Sequence, residues 1–261
     1  MLLPTLLTFI LIVIILFVVI LSCFEIGWKV RHSHKKRDEP DADSGLGAID
    51  GAVFGLMGLL IAFTFTGAAA RFETRRDLIV QETNAMGTAW LRLDLLPSDA
   101  QSIVRAEMRD YVDSRIDLFR LVSYDQVAAE KEFARGIALQ QKIWSDSATA
   151  LKQQGSPAAT SLLLAALNDM IDITTTRYVA MLTHPPLAIY IVLGFFVLAS
   201  SLLAGYGMGK SDKRNWTHRL LFSATLALAM YIILDLDYPR LGLIRINTMD
   251  QIMVDLRNSM N

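Results

Sequence analysis

Residues 51–70 read GAVFGLMGLLIAFTFTGAAA, and residues 71–96 continue as RFETRRDLIVQETNAMGTAWLRLDLL. The first stretch is apolar and the second is charged, yet both keep a helical pattern and neither contains a proline. The first helix-ending signal is Pro97. A helix of about 46 residues would run about 70 Å, roughly twice the thickness of the hydrocarbon core of a bilayer. The two stretches therefore predict one helix that leaves a membrane and continues into water.

The chain as a whole is more hydrophobic than an ordinary soluble domain. Of its 261 residues 53% are hydrophobic, and the mean hydropathy is +0.38. The pattern predicts an all-α integral membrane protein with four transmembrane helices and a helical-bundle insert between spans two and three. The predicted segments are transmembrane helix 1 (1–26), a basic loop (27–49), transmembrane helix 2 (50–70), the insert (71–184), transmembrane helix 3 (187–208), a second basic loop (209–219), transmembrane helix 4 (220–238) and a C-terminal tail (239–261).

The insert contains recognisable helix starts. Ser98 and Ser123 each precede a glutamine by three residues, which is the pattern of a capping box. Ser156 followed by Pro157 is typical of an N-cap with proline at the first helical position. These signals predict a stalk and three further helices outside the bilayer. Their expected ranges are 71–96 for the stalk, then 99–121, 124–154 and 157–183.

Apolar side chains recur at helical spacing in the insert. In the stalk, apolar or small residues repeat at intervals of four and three, as in a heptad. A looser stripe follows in the helix at 124–154. Such stripes are more typical of the core of a bundle than of a ligand site. The stalk stripe is Ile79, Thr83, Met86, Trp90 and Leu93, and the looser stripe is Val127, Phe133, Ile137, Trp144 and Leu151.

Composition and motifs argue against several classes of function. The net charge is −1, with 25 basic and 26 acidic residues, so nothing favours nucleic acid as a partner. Cys23 is the single cysteine, which excludes a disulfide framework. His32 and His34 lack acidic or thiol partners at ligand spacing, so we expect no metal site and no cofactor. The sequence has no phosphate-binding loop, zinc-protease motif or nucleophile–base pair, so we do not expect an enzyme.

Basic residues in the two short loops predict the orientation in the membrane. Positive charges mark the cytoplasmic side of short loops. Both loops lie on one side in a four-span arrangement, so we expect the N-terminus, the bundle and the C-terminus to be extracytoplasmic. Arg71, Arg75 and Arg76, just past span two, weaken this bias without reversing it. The loop residues are Lys29, Arg31, Lys35, Lys36 and Arg37 in the first loop and Lys210, Lys213, Arg214 and Arg219 in the second.

Span two has a face of small residues and a face of bulky residues. Helices in a membrane associate by close packing at small residues. Two interpretations stay open. The small face packs within the chain, or one of the two faces lines a central pore in a ring of subunits, where bulky rings would form a hydrophobic constriction. The small face is Gly51, Gly55, Gly58, Ala62, Thr66 and Ala69, and the bulky face is Phe54, Met57, Ile61 and Phe65.

Charged residues lie at the ends of the predicted spans. Charges inside a membrane are costly and tend to be functional, whereas charges at its edge often serve as anchors. Both interpretations apply to Glu25, Asp50, Asp235 and Asp237. Either of the last two could pair with Arg240 or with one of the stalk arginines, as a structural clamp or as a ring of charges at a pore mouth. The stalk arginines are Arg71, Arg75 and Arg76.

The stretch that begins GAVFGLMGLL, together with LDLDYPRLGLIRI at 234–246, resembles bacterial proteins with a bestrophin-like domain. The resemblance covers about residues 45–250. It implies a bacterial inner-membrane protein with four spans and a large helical insert between spans two and three. It also implies a relationship to bestrophins, which are pentameric anion channels whose second span lines the neck of the pore. The expected partners are therefore the lipid bilayer and further copies of the chain, with a pentamer favoured by analogy.

The sequence departs from bestrophins in two respects. Bestrophins keep their termini and their helical mass in the cytoplasm, whereas the basic loops here predict the opposite orientation. The chain also shows no cluster of residues that matches the calcium site of bestrophins.

Three functions are compatible with these patterns. The first is a homo-oligomeric membrane channel with span two near the axis and an unknown ion. The second is a membrane-anchored sensor or scaffold whose bundle binds a partner or ligand. The third is an ion-motor subunit of the stator type, which also carries a large insert between spans two and three.

Overall fold

The computed structural model describes residues 2–35, 46–122, 124–209, 214–240, 242–246 and 249–260. These residues form α-helices and no β-strand, so the predicted all-α class is confirmed. A short 3-10 turn, Leu93–Leu95, follows the second helix. The helices are α1 (Leu2–Lys35), α2 (Leu46–Arg92), α3 (Ser98–Leu121), α4 (Gln126–Gln154), α5 (Pro157–Leu182), α6 (Leu187–Met208), α7 (Trp216–Asp237) and α8 (Gln251–Ser259).

The helices divide into two compact units, and α2 contributes residues to both. The membrane unit consists of Met1–Phe72 and His184–Ile244, and the bundle unit consists of Glu73–Thr183 and Arg245–Asn261. Four helical stretches of the described chain are long and apolar enough to cross a membrane. They are Leu7–His34, Gly47–Leu95, Pro157–Met208 and Trp216–Asp237.

The apolar and charged halves of α2 form one uninterrupted helix, as predicted. The α-helix ends at Arg92, a little before the expected end at Leu96, because the last residues tighten into the 3-10 turn. Leu96 then adopts extended backbone. This follows from its position before Pro97, since the proline ring disfavours the helical conformation of the preceding residue.

In the membrane unit, α1 and α6 cross at two glycines. A Cβ atom at Gly205 would overlap the carbonyl oxygen of Phe24, and one at Gly27 would overlap the carbonyl oxygen of Leu202. Only glycine permits so close an approach of two helix backbones, which is a common way for helices to pack in lipid. These two glycines lie outside the regions where the sequence predicted close packing.

In the bundle unit, the stalk stripe predicted from the sequence forms part of the core. Ile79, Met86 and Leu93 are fully buried, and Thr83 and Trp90 are nearly so. Met86 and Leu93 pack with Met108 of α3 and Leu167 of α5 in one apolar cluster.

The stripe predicted in α4 is mostly wrong. Val127 is 65% exposed, and Ile137 and Trp144 also lie at the surface. Leu151 is buried, and Phe133 packs partly buried against a smaller apolar cluster. The helix instead buries a face that contains small and polar residues, and Gly136 on this face packs against Ser114 and Tyr111 of α3. The small side chains allow α3 and α4 to approach closely, so hydrophobicity alone misplaced the contact face. The buried residues of α4 are Ala129, Gly136, Gln140, Ile143, Ser147 and Leu151.

The helix starts differ from prediction in two of three cases. Ser156 caps α5 as predicted, since its hydroxyl oxygen accepts from the Ala159 amide at 3.2 Å. Ser98 is not an N-cap, because α3 begins at Ser98 itself and Pro97 is the flanking residue. Ser123 lies outside the described residues, and the cap of α4 is Asp125, whose carboxylate accepts from the Ala128 amide at 2.9 Å.

The C-terminal region, treated as a tail in the sequence analysis, contains a helix that packs on the bundle. Met253 of α8 and Met260 just after it are buried in the core of the bundle unit. The Arg257 guanidinium donates to both carboxylate oxygens of Asp113 on α3, at 2.8 and 2.9 Å. The amphipathic pattern of α8 is only nine residues long, which is too short to stand out in the sequence.

Candidate functional site

The small face of span two is open. Gly51, Gly55 and Gly58 have nothing from the described part of the chain within 4 Å of an added Cβ, and Ala62 and Thr66 on the same face are exposed. Ala69, at the end of this face, packs against the core of the membrane unit, so the uncovered part of the face is residues 51–66. Met57 and Ala68 of α2 are buried instead, in the apolar cluster of the membrane unit.

The bulky residues of span two divide between two environments. Phe54 and Ile61 pack against the core of the membrane unit together with Met57. Phe65 is 45% exposed and borders the open small face, because it lies only about 20° from Gly58 around a helix of 3.6 residues per turn. The bulky face predicted from the sequence is thus mostly a packing face, and Phe65 is its exposed edge.

The two threonines of span two bond back to their own helix. The Thr64 hydroxyl donates to the Leu60 carbonyl at 2.6 Å, and the Thr66 hydroxyl donates to the Ala62 carbonyl at 2.9 Å. This return bond is the usual arrangement for threonine in a helix. Each hydroxyl oxygen keeps acceptor capacity, so Thr66 can still contact water on the open face.

At the far end of span two, Arg71 and Asp237 form a two-point ion pair. Arg71 Nε donates to Asp237 Oδ1 at 2.7 Å, and its Nη2 donates to Oδ2 at 3.0 Å. The Tyr190 hydroxyl also donates to Asp237 Oδ2. The clamp, as we call Arg71, Tyr190 and Asp237, joins α2, α6 and α7 where their apolar stretches end.

The clamp satisfies a carboxylate that is costly to bury. The Asp237 side chain is fully buried, whereas that of Arg71 is 26% exposed. A buried carboxylate without partners would lose several kcal/mol of hydration free energy. Removing one partner of a buried ion pair typically destabilises a protein by about 3–5 kcal/mol. Bidentate arginine geometry is the strongest neutralising contact available to it. The clamp therefore accounts for the charge at the end of span four.

The two other stalk arginines do not join this clamp. Arg75 donates to the carbonyls of Ala180 and Thr183, at 3.2 and 2.9 Å, and so satisfies the open end of α5. Arg76 pairs with Glu73 one turn away on the surface, at 2.9 Å. A surface pair of this kind contributes little to stability.

Asp235 organises the chain after span four. Its Oδ2 accepts from the backbone amides of Leu243 and Ile244, at 3.1 and 2.9 Å. A Cβ at Gly242 would overlap Asp235 Oδ1, so only glycine fits there. Asp235 is 4% exposed and serves as a cap for the returning loop. Arg240 lies in the turn directly after α7.

Asp50 lies at the opposite end of span two from the clamp. It is part of the first turns of α2 and is half-buried. The first turn of α2 contains no acidic residue, so Asp50 lies beyond the turn in which the helix macrodipole acts most strongly. The pore or packing face and the two charged ends thus lie along one helix.

The sequence analysis missed a buried charge cluster in the bundle. Arg115 Nε donates to Glu82 Oε1 at 2.7 Å, and Arg177 Nη1 donates to Glu82 Oε2. All three side chains are at most 5% exposed. The Arg177 guanidinium lies 3.5 Å from the centre of the Phe119 ring. The one available signal was Glu82, a charge directly beside the apolar stripe of the stalk.

A second missed cluster lies at the other end of the spans, in the membrane unit. Arg219 of α7 is almost completely buried and donates to Glu25 of α1. Its guanidinium lies 5.0 Å from the ring centre of Trp28, and the guanidinium of Arg214 lies 4.6 Å from the same ring. The sequence analysis counted both arginines as loop charges, whereas Arg219 connects α1 to α7. Lys36, Arg37, Lys210 and Lys213 lie outside the described residues.

Among the described residues, no group of three or more His, Cys, Asp or Glu side chains is placed to hold a metal ion.

Comparisons with known proteins point to one family. The family model of the Bestrophin-like domain matches residues 14–250, which is most of the chain. No curated protein matches it.

Solved structures show the same fold. A crystal structure of a bacterial bestrophin homologue from Klebsiella pneumoniae, carrying a single substitution, superposes with a TM-score of 0.69 at 14% identity. The match covers 95% of this chain and 99% of that chain. A second variant of that homologue gives a TM-score of 0.68 at 13% identity, over 95% of this chain and 97% of the other. With its four apolar helical stretches and this match over residues 14–250, the chain belongs to the Bestrophin-like family.

Proposed function

We propose that the protein is a homo-oligomeric ion channel whose pore is lined by the small face of span two. Bestrophins are ion channels, and family membership makes this chain a channel-like membrane protein. The observation that supports the finer proposal is the open face of Gly55, Gly58 and Ala62, which no part of the described chain covers.

The chemistry of this face suits a narrow apolar pore. Glycine and alanine leave the α2 backbone close to the axis, and Thr66 offers a hydroxyl oxygen to passing water. Phe65, at the edge of the face, would place a ring of aromatic side chains at one level. Such a ring can gate conduction by excluding water from a constriction. Asp50 would place a ring of carboxylates near one mouth of the pore.

The oligomer and the orientation are further parts of the proposal. We take a pentamer from the analogy with bestrophins, in the inner membrane of a bacterium. The basic loops support an extracytoplasmic N-terminus, bundle and C-terminus. The contact of Arg257 with Asp113 supports an even number of spans between the bundle and the C-terminus, since both must lie on one side. Reporter fusions at Gly155 and Asp212 test the orientation, which a cytoplasmic signal at Gly155 would reverse.

The decisive test is conductance of the purified protein in planar bilayers. We expect wild-type current, a strong reduction by Ala62→Trp, which fills the open face, and altered gating in Phe65→Ala. Gly194→Trp is the matched control, because Gly194 lies on α6 with nothing within 4 Å of an added Cβ. Silence of the wild type and all variants across salts and voltages would contradict a channel. Equal currents in Ala62→Trp and Gly194→Trp would contradict the assignment of the pore face.

A further inference from the structure

The membrane unit contains an apolar cavity of about 250 Å³ between α2, α6 and α7. Leu60 and Phe63 of α2, Ile189 of α6 and Ile233 of α7 form much of its wall. Thr64 also lines it, but its hydroxyl proton is used by the Leu60 carbonyl. Phe63 is 65% exposed and Ile189 is 41% exposed, so the cavity opens to the surface of the membrane unit.

The cavity has a polar end, formed by the clamp. Arg71, Tyr190 and Asp237 all line it, next to Gly67. Nε and Nη2 of Arg71 bond to Asp237, while Nη1 donates to no described residue. An added Cβ at Gly67 would lie 3.2 Å from Nη1, so the glycine leaves room for the guanidinium to lie along α2 beside the cavity. One charged donor therefore remains available at this end.

The length of the cavity matches half a bilayer. Leu60 and Arg71 are its outermost α2 residues, and eleven residues of helix rise about 16 Å. The hydrocarbon of one leaflet is about 15 Å thick. Arg71 lies at the end of the apolar stretch and Leu60 lies at the centre of the predicted span. The donor is therefore at the level of the lipid ester groups, and the apolar wall follows the direction of the acyl chains.

The cavity lies on a different side of α2 from the open small face. Gly67 is about 140° from Ala62 around the helix, at 3.6 residues per turn. An occupant of the cavity and a pore along the small face are thus compatible, and neither requires the other.

We propose that the cavity binds one acyl chain of a membrane phospholipid, whose ester carbonyl oxygen accepts a hydrogen bond from Arg71 Nη1. Asp237 offsets the charge of Arg71, so this pair leaves the site with a hydrogen-bond donor whose charge is already balanced. An uncharged ester suits such a site. The carboxylate of a free fatty acid would instead lie close to Asp237 and compete with it for Arg71.

Photolabelling in reconstituted vesicles tests the proposal. The full-length protein is placed in phosphatidylcholine vesicles that contain a small fraction of phosphatidylglycerol with a diazirine on one acyl chain. One probe carries the diazirine near the ester and a second carries it near the chain end. We expect the first to label residues near Gly67 and Tyr190, and the second to label residues near Leu60. Free fatty acids with the same diazirines form a parallel arm.

The variants distinguish labelling inside this cavity from labelling by the lipids that surround the whole protein. Ile189→Trp fills the cavity and should reduce the labelling severalfold, whereas Gly194→Trp on the same helix should leave it unchanged. Arg71→Lys keeps the charge but removes Nη1, and we expect about tenfold weaker labelling, the loss typical of a hydrogen bond from a charged donor. Elution volume and helical content verify that each variant folds. Should Ile189→Trp misfold, Leu60→Trp narrows the same cavity at the end away from the clamp.

Four results would overturn the proposal. They are an absence of labelling at the cavity, a reversed order of the two probes, equal labelling of the Ile189→Trp and Gly194→Trp proteins, and labelling by the fatty acids but not by the phospholipids. Conductance does not enter this experiment, so its outcome is independent of whether the channel proposal holds.

Discussion

Arg71 and Asp237 meet through two hydrogen bonds of 2.7 and 3.0 Å, although 166 residues separate them in the chain. The pair joins the end of span two to the end of span four. Because the Asp237 side chain has no exposed surface, its carboxylate needs partners within the protein; Arg71 supplies a balancing charge and Tyr190 a further hydrogen bond. Substitutions in the clamp should therefore have a large effect on the stability of the protein.

Asp237→Asn should destabilise the protein by about 2–4 kcal/mol, because it leaves the Arg71 guanidinium only partly solvated and without its counter-ion. Denaturant unfolding in detergent, followed by helical circular dichroism, gives the free energy. Glu73→Gln is the control, since it breaks the exposed Arg76 pair and should change stability by less than about 0.5 kcal/mol. A double-mutant cycle with Arg71→Met should give clear coupling, and additive single effects would argue that the two side chains do not interact.

Gly205→Ala should destabilise the membrane unit by about 1–3 kcal/mol or more, because the new methyl group overlaps the Phe24 carbonyl and forces α1 and α6 apart. Gly207→Ala is matched to it on the same helix, where an added Cβ meets nothing within 4 Å. The control should be neutral or slightly stabilising, since alanine favours helix over glycine. Thermal unfolding in detergent compares the two, and equal melting temperatures would contradict the close crossing.

Glu82→Gln should cost about 3–5 kcal/mol, since it leaves Arg115 and Arg177 buried side by side without their shared carboxylate. Glu132→Gln removes an acid that pairs with Arg135 on the surface of α4, and it should have little effect. Limited proteolysis of the bundle reports the opening of this region directly. A proteolysis rate for Glu82→Gln that matches wild type would show that the cluster is not needed for the fold.

Stability should fall as pH rises where Glu107 titrates. Burial, with the neighbouring Asp146, raises the pKa of Glu107 above its ordinary value of 4.5, against the opposing effect of Lys142. The folded protein then holds this proton at a pH at which the unfolded chain has lost it. The contribution of Glu107 is therefore fully present below pH 4.5 and is lost as pH rises through the raised pKa.

Glu107→Gln should flatten this decline in stability. Unfolding midpoints measured at several pH values, from 4.5 upward, give the slope for wild type and variant. Glu130→Gln, at an exposed position of α4, is a control that should keep the wild-type slope. A wild-type protein whose stability rises over this range, with no change in the variant, would contradict a raised pKa.

Local patterns in the sequence were enough for part of this structure. Ser156 before Pro157 located the start of α5, and the heptad-like spacing from Ile79 to Leu93 located the core of the stalk. Both depend on contacts within a few residues or on the repeat of one helix. The α4 stripe failed because Gly136 and Ser147, which are not hydrophobic, face its neighbours, and the partner helix decides which face is buried.

In the candidate site, too, some features could be predicted from the local sequence and others could not. The spacing of the glycines in span two predicted a face of small residues. The exposure of this face could not be predicted, because it depends on where the other helices lie. The alternatives for Asp237 included Arg71, yet nothing local to either residue distinguishes Arg71 from Arg75 or Arg76. Arg75 is the nearest alternative in sequence, but its guanidinium donates to backbone carbonyls at the end of α5 instead.

The sequence by itself determined the helical class, the four apolar stretches and the continuity of α2, because hydropathy, helical period and the absence of proline are properties of the local chain. Only the tertiary structure decided that the small face stays open, that Asp237 pairs with Arg71, and that a cavity the length of one leaflet lies beside them. These depend on which helices pack together, and in a membrane that choice is made by close steric fit and by satisfying buried charge.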